Sequence, residues 1–294
     1  MPEPPVGSIY DLGYRRYEGV RLGRRHAILA LYVHGLRSGF GIGRRAQSKI
    51  FPIGLALLAF FPAVVQLGIA ALAGDRIEVI TAESYYGYVE TVLALFVAAV
   101  APELVGRDQR TRTLSLYFSR AVGRRDYAAA RMAALVTVML ALTLLPQTVL
   151  FAGRGLAAAN FGDFINDEAG DVAPIIASAI LLSCFIAAVG VTVAAQTPRR
   201  VYSTVTILGV FVVPLVIAGA LVNITEGDGT GFAVLLSPAH LMQGLTIWLF
   251  DTTPDPLDDI AIAGLDGWLY GAGLVAWIGV CSWLFVRRIE KVPA

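Results

Sequence analysis

The side chains best placed to do chemistry in this sequence are arginines and carboxylates gathered in one stretch, ELVGRDQRTRTLSLYFSRAVGRRDYAAAR, at residues 103–131. Glu103, Arg107, Asp108, Arg110, Arg112, Thr113, Arg120, Arg124, Arg125 and Asp126 surround a short apolar run, Leu114, Leu116, Tyr117 and Phe118. That mixture suits recognition of a surface, because an apolar face can enter a groove while rim charges set its register. A plainer role is open to the same cations, which can hold a loop on the inner side of a membrane.

Bond-making chemistry finds less support. His26, His34 and His240 all lie outside the long apolar blocks of the chain, and Ser183 beside Cys184 has no base within sequence reach. Cys184 and Cys281 match no metal-ligand or CxxC spacing and read as small core residues. A phosphate-cradling GxxxxGK[ST] loop needs a lysine before Ser or Thr. The two lysines, Lys49 and Lys291, precede Ile50 and Val292 instead. The chain is therefore not expected to be an enzyme, or to hold ATP, a metal or another cofactor.

The elements that would position the charged stretch follow from composition. Of 294 residues, 56% are hydrophobic and 15% charged, where soluble domains carry about 25% charge. The apolar residues form blocks, and a helix needs about 20 of them to cross the hydrocarbon of a bilayer. Six blocks are long enough, near 50–73, 85–101, 128–153, 172–195, 201–222 and 267–286. Their length and lack of a two-residue period exclude a β-barrel. The expected fold is all-α and polytopic, with a segment 1–49, a six-helix domain 50–286 and a tail 287–294. Because the first long apolar run starts at Ile50, no cleaved leader is expected.

Orientation follows from the cations, which are retained on the cytoplasmic side. With both ends inside, Arg76 and Arg154 alone among the loop cations fall outside, and Asp163, Asp167, Glu168, Asp171, Asp251, Asp255, Asp258 and Asp259 fall outside with them. The charged stretch then forms an inner loop, 102–127. The long outer loop, 223–266, contains an apolar run at 232–250 interrupted by Pro238, His240 and Gln243, which reads as short helices embedded in the outer face. Ahead of the first span, Ala27, Ile28, Leu31, Tyr32 and Leu36 recur at helical spacing among arginines. They fit a helix in the headgroup region or one packed on protein. Gly39, Gly41 and Gly43 would let the chain turn into the bilayer.

Within the spans, Gln66, Glu90 and Gln147 are polar. Each could line a path for cargo; the glutamines could equally link helices, and Glu90 could reach outer headgroups. Arg131 is expected to snorkel to the inner interface. A net charge of +1 gives no reason to expect nucleic acid.

The inner loop resembles that of ABC-2 type transporter permeases, where charged residues precede Gly-Thr-Leu, a hydrophobic turn, a Pro-Val-Ser-Arg-like sequence and a lysine opening the third span. Thr113-Leu114, Val122 and Arg124 match that pattern, while Arg112, Ala121 and Arg131 stand where the family has Gly, Pro and Lys. The basic leading segment, six spans and long last outer loop are similar as well. The resemblance implies a permease dimer, of like or unlike copies, exporting cargo that the sequence does not name. It further implies two separate ATPase subunits that bind ATP and Mg and dock on the stretch containing Glu103, Leu114, Tyr117 and Asp126. The implied location is a bacterial cytoplasmic membrane, in contact with its lipids. A proton-coupled carrier or channel is the alternative.

Overall fold

The structure is a computed structural model that describes residues 19, 22–42, 46–73, 79–111, 113–119, 122–158 and 160–291. Arg76, Arg112, Arg120, Ala121, Gly43 and the tyrosines at 10, 14 and 17 lie outside the described residues.

Apolar blocks rich in Ala, Leu and Val become helices because a helix satisfies its own backbone groups. In chain order these are α1 (Gly23–Gly39), α2 (Ala46–Ala73), α3 (Tyr85–Ala101), α4 (Arg107–Arg110), α5 (Leu114–Phe118), α6 (Arg124–Ala157), α7 (Phe161–Glu168), α8 (Val172–Gln196), α9 (Arg200–Thr225), α10 (Pro238–Leu249), α11 (Asp259–Ala263) and α12 (Gly267–Glu290). Among the described residues, six helices are long and apolar enough to cross a membrane: α2, α3 with its extension to Arg110, α6, α8 reached from Ala169, α9 and α12. The architecture is all-α and multi-pass.

Each long helix reverses the direction of the one before, so the bundle has two chemically distinct ends. One carries α1, α4, α5 and the arginines; the other carries α7, α10, α11 and most of the acidic residues. The centre is α3, α6 and α8, where Val89, Leu93, Phe96, Leu135, Met139, Leu182 and Phe185 are fully buried together. Around it α2, α9 and α12 leave large apolar side chains such as Phe61, Val212 and Trp283 exposed, as lipid-facing surfaces do.

The 232–250 run resolves into a 3₁₀ turn, Gly231–Leu236, and the twelve-residue α10. At 1.5 Å per residue α10 is about 18 Å long, short of the roughly 30 Å of bilayer hydrocarbon, so it is not a seventh crossing. Ser237 accepts the His240 amide at its start, with Pro238 in the first helical position. Its Gly244 lies where any added Cβ would meet the Tyr270 ring at 2.3 Å, which fixes α10 tightly against α12.

Helix α1 packs on α6. An added Cβ on Gly35 would stand 2.6 Å from Ala134, one on Gly39 2.8 Å from Val138, and Tyr32 meets the Thr137 hydroxyl at 3.0 Å. The contact advances four residues on both helices together, so the two axes run alongside one another. The turn after α1 uses Gly41 at φ +71°.

Candidate functional site at the basic end

Helix α3 does not stop cleanly. Pro102 supplies no backbone N–H, and residues Pro102–Gly106 widen into a π-helical turn before α4 resumes. Such turns often sit at functional positions. Here the turn re-aims the chain so that α4 and α5 fold back beneath the bundle, and Gly106 packs against the carbonyls of Ala194 and Thr197.

In and beyond this turn, four of the charged side chains that the sequence singles out, Glu103, Asp108, Arg125 and Asp126, grip other elements. Glu103 pairs with Arg200 of α9 at 3.0 Å and with Arg110 at 3.8 Å. Gln109 donates to the Ala195 carbonyl at the end of α8, which also accepts from Arg288 of α12. Arg125 pairs with Glu290 of α12 at 2.7 Å. Asp126 accepts Arg24 of α1 through both oxygens, at 2.7 and 2.8 Å, and reaches back to the Gly123 amide at 3.0 Å. That backward reach satisfies one of the open donors at the start of α6.

At the centre of the clasp is a buried pair. Asp108 Oδ2 accepts Arg131 Nη2 at 2.5 Å and the Tyr127 hydroxyl at 2.8 Å. Arg131 is 1% exposed, so it does not snorkel to an interface as expected. The reason is a carboxylate within reach: a paired and hydrogen-bonded guanidinium can stay inside, where an unpaired one must seek water. The ring of Tyr127 lies 5.4 Å from the Arg131 guanidinium, stacks on Tyr117 and meets Phe118 edge-on, and Arg124 lies 5.5 Å above Phe118. Burial, with the Asp108 charge adding to it, pushes the Tyr117 hydroxyl above its usual pKa.

This geometry sorts the apolar run. Leu114 is buried, and Tyr117 and Phe118 pack half-buried on the core, with the Thr113 hydroxyl donating to the Asp108 carbonyl. Leu116, 66% exposed, projects outward instead, and Arg107 and Arg110 are exposed on the adjacent turn. The order of residues marks the run but does not single out the outward residue, since five helical residues have no readable period. Small outward positions at Ser115 and Ser119 were the available signal.

The three polar residues of the spans do not converge. Gln66 accepts the amides of Val79 and Ile80 at 3.1 and 3.0 Å, and Gln147 donates to the Ala82 carbonyl at 2.8 Å. Both thus hold the segment leading into α3 from neighbouring helices. Glu90 stands apart from them and lines a cavity of about 510 Å³ at the acidic end. That end has its own buried pairs, missed in the sequence: Arg154 with Glu168 at 3.0 Å, and His240 Nε2 with Asp259 Oδ2 at 2.8 Å, where Asn223 also donates to Asp259 at 2.6 Å.

No protein-family model matches the chain, and no curated protein matches it.

Proposed function

We propose that this chain is the membrane subunit of a transporter of ABC-2 type, moved by an ATPase carried on separate polypeptides. The observation that carries the reading is the clasp: side chains of residues 103–110 tie the surface segment to α6, α8 and α9, and the first turn of α6 that follows it is tied in turn to α1 and α12. A partner displacing α5 would pull on the inner ends of five helices at once, as rigid-body switching requires. Nothing about a mere connecting loop calls for a π turn, a buried ion pair and four further anchors. The loop resemblance at Thr113-Leu114, Val122 and Arg124 points the same way.

In this reading the basic end faces the cytoplasm of a bacterial cell, with both chain ends, and α10 and α11 lie at the outer face. The permease works as a dimer embedded in lipid, with two ATPase copies below it. Leu116 is the knob that enters the ATPase, and Arg107 and Arg110 are rim charges that set its register.

The test is Leu116→Asp. An exposed change spares the fold, while a docked leucine of this kind is worth about 2 kcal/mol, roughly thirtyfold in affinity. ATP hydrolysis that purifies with the tagged chain in mild detergent should fall accordingly, with the melting temperature unchanged. Full retention of that activity would remove the assignment.

A further inference from the structure

The cavity at the acidic end is built from parts that the clasp does not use. It lies between the first turns of α3, the outer side of α10 and the 252–258 loop, and its volume of about 510 Å³ falls within the few-hundred to thousand Å³ of small-molecule sites. Four carboxylates line it, Glu83, Glu90, Asp255 and Asp258, and no arginine or lysine among the described residues does.

Glu90 is the informative one. It sits one and a half turns into an apolar helix, partly buried, with no hydrogen bond or ion pair to any described residue. A carboxylate there is costly without a partner. Asp258, by contrast, accepts Gln243, and Asp255 accepts the Leu257 amide. On the inner wall Tyr86 is almost wholly buried and meets Ser178 at 3.3 Å. Beside Tyr86 is Gln147, fully buried, whose Oε1 has no hydrogen-bond partner. Of these groups Glu90 faces the cavity unpaired, and what its carboxylate lacks is a donor carrying positive charge.

The geometry also separates two kinds of cation. Among the described residues no three carboxylate, histidine or cysteine side chains converge closely enough to hold a metal ion. Spread carboxylates beside the exposed Tyr88, with Met242 and Ile247 in the wall, suit a larger body, since an ammonium or guanidinium group is attracted both to carboxylate and to an aromatic ring.

We propose that this cavity binds a small organic cation with an apolar body, held by Glu90 and flanked by Tyr86 and Tyr88. Naming that ligand as cargo rests on the reading of the chain as a permease; the binding itself does not. Occupancy neutralises Glu90 inside its helix and contacts both α3 and α10. Because α3 runs through the π turn into the clasp, the ligand sits on the same rigid element that the basic end moves.

The experiment uses the purified full-length chain in lipid nanodiscs, without any ATPase. Ethidium is the cationic probe, fluorescein an anionic dye of similar size, and calcium chloride the metal control. Saturable ethidium binding is expected, weakened about tenfold or more in Glu90→Gln and by a smaller factor in Asp255→Asn, which lies on a surface loop. Fluorescein should bind only by partition into lipid. Absence of saturable ethidium binding, equal binding by the native chain and Glu90→Gln, saturable fluorescein binding, or displacement of ethidium by stoichiometric calcium would each overturn the proposal. None of those results bears on ATPase docking at Leu116, which is measured separately.

Discussion

Asp108 and Arg131 meet at 2.5 Å inside the bundle although 23 residues and a surface loop separate them in the chain. The pair fastens α4 to α6 at the point where the π turn delivers the chain out of α3. Its carboxylate is shared with Tyr127, which is itself enclosed by Tyr117 and Phe118 of α5. One carboxylate therefore links the three short and long helices that make the clasp, and α5 inherits its position from it.

Removing the charge of Asp108 while keeping its shape should be severe. Asp108→Asn leaves the Arg131 guanidinium buried without a counter-charge, a loss of about 3–5 kcal/mol. Thermal unfolding in detergent measures it. The double variant Asp108→Leu with Arg131→Met should recover most of that loss, since two apolar groups leave nothing unpaired.

Gln66→Leu should loosen one loop and leave the clasp alone. The amides of Val79 and Ile80 lose their shared acceptor, at a cost of about 1–3 kcal/mol. Hydrogen exchange should rise at residues 79–82 and stay unchanged at 103–126.

Helix α1 should detach when its close contact is filled. The Cβ of Gly35→Ala would fall 2.6 Å from the Ala134 methyl group, and overpacking of this kind costs about 1–3 kcal/mol. Faster trypsin cleavage at Arg24 and Arg25 is the expected readout, with the core helices still protected.

The two ends should also separate by side of the membrane. A single reactive cysteine at Leu116 should be labelled by an impermeant maleimide only in inverted vesicles, and one at Leu257, 86% exposed at the acidic end, only in intact cells. The reverse pattern would contradict the orientation taken from the arginines.

Much of this framework is legible in residue order alone. The block 85–101 coincides with α3, and 172–195 with α8 to within one residue. Elsewhere the helices outrun the hydropathy: α6 begins at Arg124 instead of Ala128, and α12 continues through Arg287 and Arg288 to Glu290. Backbone hydrogen bonding does not stop where polarity begins. What residue order could not give is who meets whom. Arg131 reads as a snorkelling cation until Asp108 is brought beside it, and His240 reads as a loop residue until α11 carries Asp259 to it. Leu114 and Leu116 are indistinguishable in a run of four apolar residues; only the packing of α5 on Tyr127 turns one inward and the other out.

The central claim is that a partner grips α5. A photo-crosslinking amino acid at position 116, activated in native membranes, tests it directly. The account predicts an adduct with a nucleotide-hydrolysing protein at position 116 and none at position 257. An adduct with such a protein at 257, or only lipid adducts at 116, would contradict it.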